Sequence, residues 1–220
     1  MQIRGVLFDF GSTLFAHAPL ADTIQRAAHA LGTEVSRSWA VDLAAAIDRA
    51  AHTPEELAFG RDLSQDIWSA RWAQMYAVGD DSLPGLGAEI YRLMHQAGEW
   101  VPYPAAARTL SGLSGAGLSV GIVSNTGWDI RTVFEHHGMS EFVDEYCLSW
   151  QVGGVKPDAK IFVEALRRLG LDHTQALMVG DDPSADSGAA RAGITTLLLP
   201  ATPPGVDNGI ELVLRTCGIG

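Results

Sequence analysis

The sequence predicts an α/β protein, with a doubly wound parallel sheet and a four-helix unit inserted after the first strand. Short apolar runs that end in turn residues are typical of buried parallel strands. Five such runs occur, at residues 5–10, 118–124, 145–149, 176–180 and 195–199. Helical patterns alternate with the last four runs. A long stretch of helical pattern, residues 19–98, separates those four from the first run.

The first strand, residues 5–10, ends at the turn residues Gly11 and Ser12. Four Ala-rich helical patterns follow it, at residues 24–31, 39–51, 63–78 and 88–97. Because no strand pattern interrupts them, we expect a separate bundle. The predicted domains are therefore a core of residues 1–15 and 99–220 and a helical cap of residues 16–98, with hinges near residues 15–19 and 99–104.

In the second half, strands alternate with helical patterns at residues 105–114, 130–137, 159–169 and 184–192. Right-handed crossovers between parallel strands place helices on both faces of the sheet, so this half completes one α/β core with the first strand. The Pro- and Gly-rich stretch 200–209 is predicted to be a peripheral loop.

Composition excludes several classes of protein. The formal charge of −11 and pI near 4.9 disfavour binding to nucleic acid or to anionic membranes. No apolar run approaches the roughly 18 residues that span a bilayer, and the N-terminus lacks a signal-peptide pattern. We expect a cytoplasmic protein, a monomer or a homodimer, with Cys147 and Cys217 as free thiols and no zinc site.

Polar residues stand at the predicted carboxyl ends of four strands, where parallel sheets bind ligands. They are Asp9, Ser124, Lys156 in the loop after the third strand, and the pair Asp181 and Asp182. Each one alone fits a helix cap as well as a ligand contact. Their shared position at one edge of the sheet predicts a site there.

Lys156 carries more information than most lysines, because the chain has thirteen arginines and only two lysines. A compact ammonium fits between a carboxylate and an anion where a planar guanidinium would crowd the site. The alternative is a solvated lysine ahead of Pro157 at a helix start. The other lysine, Lys160, is expected to be solvated.

In order and spacing, these residues resemble the four motifs of the haloacid dehalogenase (HAD) superfamily. The matching segments are residues 9–14, Ser124-Asn125, Lys156-Pro157 and residues 180–186. Residues 188–193 look like the family's helix after the fourth motif, and the inserted helices are similar to the cap of one subgroup. The resemblance implies a Rossmann-like core and a Mg²⁺-dependent phosphatase acting on a small phosphorylated metabolite.

The resemblance also implies roles for individual residues. Asp9 would be the nucleophile and form an aspartyl phosphate, assisted by Lys156. Mg²⁺ would be held by Asp9, the Gly11 carbonyl and Asp181. The substrate phosphate would be bound by Thr13, Ser124, Asn125 and Lys156. Asp182 and Asp186 would support a metal-bound water or orient Lys156, or else cap a helix beginning near Pro183, and Thr13 also fits a cap.

Gly11 departs from the family pattern, because phosphatases of this family generally carry there a second Asp that protonates the leaving oxygen. Such a general acid contributes roughly 10² to 10⁴ in rate. Three interpretations stay open. They are a phosphatase suited to acyl or enol phosphates, a binding or regulatory protein that keeps the fold, and a 2-haloacid dehalogenase, which would need neither a metal nor the Asp181-Asp182 pair. The first is favoured.

Specificity is expected to come from residues facing the strand ends. Candidates are His17, Arg61, Trp72 and Trp128. The tryptophans 39, 68 and 72 have partly helical spacing, which also fits the core of the bundle. A cap arginine is a candidate clamp for a second anionic group on the substrate.

Overall fold

A computed structural model describes residues 2–220, and the five predicted strands form a single sheet. The strands are β1 (Gly5–Phe8), β2 (Phe15–His17), β3 (Trp100–Pro102), β4 (Ser119–Ser124), β5 (Glu145–Leu148), β6 (Ala176–Gly180) and β7 (Thr195–Leu198). The order in the main sheet is β5-β4-β1-β6-β7, and every pair is parallel. The predicted α/β class is confirmed.

Helices flank this sheet and also form a separate cluster. The helices between β2 and β3 are α1 (Leu20–Ala30), α2 (Arg37–Ala51), α3 (Pro54–Ala58), α4 (Gln65–Tyr76) and α5 (Leu86–Met94), and we call them the helical unit. The remaining helices are α6 (Ala106–Gly115), α7 (Arg131–His136), α8 (Ser149–Val152), α9 (Ala159–Leu169), α10 (Gly188–Arg191) and α11 (Leu212–Thr216).

Strand β1 lies at the centre of the sheet, and all four of its residues are buried. Val6 and Phe8 pack into one hydrophobic cluster, whereas Leu7 packs into a second cluster. Because side chains alternate along a strand, these clusters lie on opposite faces of the sheet. This explains the unbroken apolar run. Asp9 follows at the carboxyl end, where its N–H donates to Val179 O at 2.9 Å.

The helical unit has its own apolar core, which includes Ile24, Ile47, Leu86 and Ile90. Its four longer helices match the four predicted ones within a few residues, and α3 is an additional short helix. Helix α2 begins two residues before the predicted start, because Ser36 caps it by accepting the N–H of Trp39 at 3.2 Å.

The antiparallel pair β2–β3 joins the helical unit to the sheet, with Phe15 opposite Pro102 and His17 opposite Trp100. The sequence did not predict these strands, although they coincide with the predicted hinges. The division into domains at residues 15 and 99 stays a prediction. No helix among residues 2–220 is both long and apolar enough to cross a membrane.

Two segments differ from the prediction. The helix expected at residues 184–192 is only α10, because turns occupy the residues before it: the Asp182 carboxylate accepts the N–H and hydroxyl of Ser184 at 2.7 and 2.6 Å. The loop 200–209 is not wholly peripheral. Asn208 is buried and donates its amide to Thr13 O at 2.9 Å, which supports the turn after β1.

Gly188 packs so closely on the loop carrying Lys156 that a Cβ there would lie 2.5 Å from the Pro157 carbonyl oxygen. We predict that Gly188→Ala lowers the free energy of unfolding by about 1–3 kcal/mol, because the backbone must move. Gly115→Ala is the matched control, since a Cβ there meets nothing within 4 Å. Urea unfolding measures both. Equal stability of the two variants would contradict this packing.

Candidate active site

Four charged side chains meet at the carboxyl edge of the sheet. Lys156 Nζ donates to Asp9 Oδ1 at 2.6 Å and to Asp186 Oδ1 at 2.7 Å. Carboxylate oxygens of Asp9, Asp181 and Asp186 lie within 4.8 Å of one another. Asp9 follows β1, Asp181 follows β6, and Lys156 stands in the loop after α8. The sheet therefore brings together residues that are far apart in sequence, as the strand-end rule predicted.

The lysine at the centre of this cluster is held in its charged form. Burial disfavours the charge on Lys156, but the Asp9 and Asp186 carboxylates outweigh burial and raise the pKa of the ammonium. Burial raises the pKa of Asp9 above its ordinary value, and Lys156 only partly offsets that effect. Carboxylates on whose pKa burial and a neighbouring positive charge act in opposite directions are characteristic of functional sites.

Asp181 has an excess of negative charge around it. Burial and the charge of Asp9 raise the pKa of Asp181 to about 7, although the Thr13 hydroxyl donates to Asp181 Oδ1 at 3.1 Å. Three carboxylates therefore share one ammonium. Hard divalent cations bind carboxylate and carbonyl oxygens, so the donor set of this corner fits such an ion.

Asp186 is fully buried and positions its neighbours. Its Oδ2 accepts the N–H groups of Asp181 and Asp182, each at 3.0 Å, while Oδ1 accepts Lys156. A Cβ at Gly180 would lie 2.1 Å from Asp186 Oδ2, so only glycine leaves room for this carboxylate. Because both of its oxygens already have partners, Asp186 is a weaker metal ligand than Asp9 or Asp181.

Two residues predicted to bind phosphate have other partners in the structure. The Asn125 amide donates to Lys156 O at 3.0 Å and accepts Lys156 N–H at 2.7 Å, so it fixes the lysine loop. Thr13 is fully buried and its hydroxyl is directed at Asp181. Both side chains thus order the site, and Asn125 also lines the cavity described next, whereas Thr13 does not. Phosphate binding by either residue stays a prediction. Ser124 lines the same cavity.

A cavity of about 300 Å³ opens above Asp9 and Lys156, between the sheet edge and the helical unit. Aromatic rings dominate its sides. We call Phe10, Trp68, Trp72, Tyr76, Trp100 and Trp128 the aromatic wall. The remaining lining residues are Asp9, Gly11, Met94, His95, Ser124, Asn125, Thr126, Lys156, Asp182 and Ala185.

The structure places two of the four candidate specificity residues at the cavity and two away from it, and their role in specificity stays a prediction. Trp72 and Trp128 line the cavity as expected, and Trp68 lines it too instead of packing only in the bundle. Arg61 does not line it. Its guanidinium donates to Ala51 O at 2.8 Å and lies 4.8 Å from the centroid of the Trp72 ring.

His17 is also absent from the lining, since its ring packs edge-on against Trp100 at 5.2 Å. The sequence contained one indication of the aromatic wall, but helical spacing alone did not show whether these rings face a cavity or the core of the bundle. Trp68, Trp72 and Tyr76 are spaced by four residues and so share one face of α4.

The helical unit contacts the sheet edge beside this cavity. A Cβ at Gly127 would lie 2.2 Å from Trp68 Cβ, so the tryptophan packs directly on the glycine backbone. The Ser149 hydroxyl donates to Asp62 O at 2.5 Å and accepts the N–H of Thr126 at 2.9 Å. These contacts hold Trp68, and with it the α4 side of the aromatic wall, against the sheet edge beside Asp9.

Gly11 lies in the floor of the cavity, next to Asp9. A Cβ there would have Trp100 as its nearest neighbour, at 3.9 Å, which is an ordinary contact. The space for a side chain therefore exists, but the sequence leaves it without a carboxyl group.

Comparisons with known proteins agree with this geometry. Residues 3–193 match the haloacid dehalogenase-like hydrolase family. Glyceraldehyde 3-phosphate phosphatase from Methanopyrus kandleri is 30% identical, over 89% of this chain and 83% of the relative. Ribulose-1,5-bisphosphate 5-phosphatase from Halopiger xanaduensis is 29% identical, over 88% and 83%. The HAD-hydrolase YfnB from Bacillus subtilis superposes with a TM-score of 0.74 over all of both chains at 19% identity, which supports the fold alone.

We predict that Lys156→Met destabilises the protein by about 3–5 kcal/mol near neutral pH, because it leaves buried carboxylates without their cation. Burial already raises the pKa of Asp9 above its ordinary value, and without the ammonium it rises further, which widens the window between the unfolded and folded values. The variant therefore loses stability as pH rises through that window, and its deficit is larger at about pH 8 than at about pH 5.

Lys160→Met is the matched control, since Lys160 is exposed and its ammonium contacts only Gly153 O, at 2.6 Å. Urea unfolding of both variants and the wild type at the two pH values measures the effect. A pH-independent deficit, or one that Lys160→Met shares, would contradict the role of the buried ammonium.

Proposed function

The chain belongs to the haloacid dehalogenase-like hydrolases, and on that basis we propose that it is a Mg²⁺-dependent phosphatase acting on a small phosphorylated metabolite through Asp9. One observation carries the proposal: the Lys156 ammonium lies 2.6 Å from Asp9 Oδ1 in a corner that also contains Asp181. The names of two relatives, phosphatases of phosphorylated sugars, support the same reaction class.

Asp9 is the nucleophile in this proposal. One carboxylate oxygen attacks the phosphorus atom, the bond from phosphorus to the leaving oxygen breaks, and an aspartyl phosphate results. Lys156 holds the carboxylate in place and balances charge that develops on the phosphoryl oxygens. Asp186 and Asn125 keep the lysine in position through its ammonium and its backbone. Water then attacks the phosphorus atom, the bond between phosphorus and the Asp9 oxygen breaks, and phosphate and the free carboxylate result, while the proton of the water passes to solvent.

Asp9, Asp181 and the Gly11 carbonyl are the residues that would hold Mg²⁺. The raised pKa of Asp181, about 7, supports this assignment, because burial and then the neighbouring Asp9 carboxylate disfavour its charge, which a bound cation would compensate. When bound, Mg²⁺ supplies positive charge that lets a phosphate dianion approach two carboxylates. A dehalogenase acting without metal gains nothing from Asp181, and this disfavours that interpretation.

We predict that the protein releases phosphate from acetyl phosphate in the presence of Mg²⁺, and that Asp9→Asn reduces the rate at least about 10³-fold, since an amide cannot act as the nucleophile. Phosphate release with Mg²⁺ and with a chelator measures the metal requirement. Because Asp181 must be deprotonated to bind a cation, the apparent Mg²⁺ affinity should rise as pH increases through about 7.

Asp158→Asn is the matched control, because Asn keeps the acceptor that Asp158 provides at the N-terminus of α9. It should retain wild-type rates. Phosphate release that is independent of metal or insensitive to Asp9→Asn would contradict the proposal. Metal-independent release of chloride from 2-chloropropionate would identify a dehalogenase, and silence on both substrates would favour a binding protein.

A further inference from the structure

We propose that the leaving group of the substrate is an aromatic alcohol, so that the substrate class is aryl phosphate monoesters without a second anionic group. The inference rests on the proposed phosphatase function and concerns the part of the substrate that lies against the aromatic wall. Three features carry it: the rings around the cavity, the partners of nearby arginines, and the glycine at residue 11.

The aromatic wall forms two nearly continuous surfaces. On α4, the Trp68 and Trp72 ring centroids are 5.6 Å apart, and those of Trp72 and Tyr76 are 5.3 Å apart. On the sheet side, Phe10 and Trp100 are 4.7 Å apart, and Trp100 and Trp128 are 6.2 Å apart. Rings at such separations present extended apolar surface, and a planar aromatic group gains from offset or edge contacts with them.

Two of the five polar ring atoms of the aromatic wall donate to partners within the described residues. Trp68 Nε1 donates to His95 Nε2 at 2.9 Å, so the proton of His95 is on Nδ1, which faces Tyr91 O at 2.8 Å. Burial lowers the pKa of His95, which keeps the ring neutral. Trp100 Nε1 donates to Met94 O at 3.1 Å.

Within residues 2–220, the Trp72 indole N–H is the one buried polar atom of the aromatic wall without a partner. It is a single donor. A polyol chain would lose several hydrogen bonds to water on entering this cavity and recover few, whereas an aromatic ring has none to lose.

The cavity also has no cation for a second anion. Lys156 is the only lysine or arginine lining it within the described part of the chain. Two arginines near α4, Arg61 and Arg71, both pair with the buried carboxylate of Glu56. A bisphosphate or a phosphorylated carboxylic acid would place a charge against indole rings, at a desolvation cost without compensation.

Gly11 favours the same leaving group on chemical grounds. Without an acid there, the electron pair of the broken bond stays on the departing oxygen, which takes its proton from solvent after release. The pKa of a phenol is about 10, whereas that of water, a guide to simple alcohols, is about 16. Phenolate therefore leaves unassisted far more readily than an alkoxide.

The test compares kcat/KM for four phosphates in the presence of Mg²⁺. Acetyl phosphate measures phosphoryl transfer to Asp9 without an aromatic ring in the substrate. Phenyl phosphate has both the aromatic ring and the good leaving group. Benzyl phosphate has the ring but a poor leaving group, and glycerol 1-phosphate has neither the ring nor a good leaving group. We expect phenyl phosphate to exceed glycerol 1-phosphate at least about 100-fold. Benzyl phosphate should have a KM close to that of phenyl phosphate but a low kcat.

Two pairs of variants separate the contribution of the aromatic wall from the contribution of the missing acid at residue 11. Trp72→Leu should lower the ratio of kcat/KM for phenyl phosphate to that for acetyl phosphate about tenfold, through KM. Trp39→Leu, which changes a tryptophan packed on the core of the helical unit, should leave this ratio unchanged. Gly11→Asp should raise kcat for glycerol 1-phosphate at least about tenfold relative to phenyl phosphate, and Gly11→Asn should not.

The outcomes distinguish the two proposals. No Mg²⁺-dependent phosphate release from any of the four compounds would overturn the proposed function and this inference together. Turnover of acetyl phosphate, with phenyl phosphate no better than glycerol 1-phosphate, would overturn the inference alone. A strong phenyl preference that Trp72→Leu weakens and Trp39→Leu preserves would support it.

Discussion

A buried ammonium held between two carboxylates is the interaction on which the rest of this site depends. Lys156 is almost inaccessible to solvent, and its charge is maintained only because Asp9 and Asp186 lie within hydrogen-bond distance. Each surrounding feature serves that arrangement. The Asn125 amide fixes the lysine backbone, and Gly180 leaves space for Asp186. This charged cluster is thus preorganised before a ligand arrives.

In the proposed reaction, the aromatic wall adds a second constraint, on the leaving group rather than on the phosphate. A charged floor beneath apolar sides binds a molecule by its two chemically different ends. In the proposed reaction, the absence of an acid at Gly11 also constrains the leaving group, because its oxygen must then be stable as an anion. The proposed recognition by the aromatic wall and the proposed chemistry at Gly11 therefore favour the same kind of substrate, although they reside in different residues.

Much of this was predictable from the sequence, and for a physical reason. Continuous apolar runs identified the five parallel strands, and the carboxyl ends of parallel strands meet at one edge, so Asp9, Lys156 and Asp181 had to converge. The hydrogen bonds that Asn125 and Thr13 make within the protein were not predictable. A polar residue at a strand end has the same sequence pattern whether its side chain contacts a ligand or a neighbouring residue. The position of Trp68 was ambiguous, because helical spacing shows which residues share a face of a helix but not whether that face packs in the bundle or lines a cavity.

The most direct test of the account is a crystal structure of the protein with Mg²⁺ and beryllium trifluoride, which mimics a phosphoryl group on a carboxylate. The account predicts the fluoride complex on the Asp9 carboxylate, with the Lys156 ammonium in contact with it and the metal ion bound by Asp9 and Asp181. A fluoride complex bound elsewhere, or a Lys156 side chain turned away from Asp9 in the complex, would contradict it.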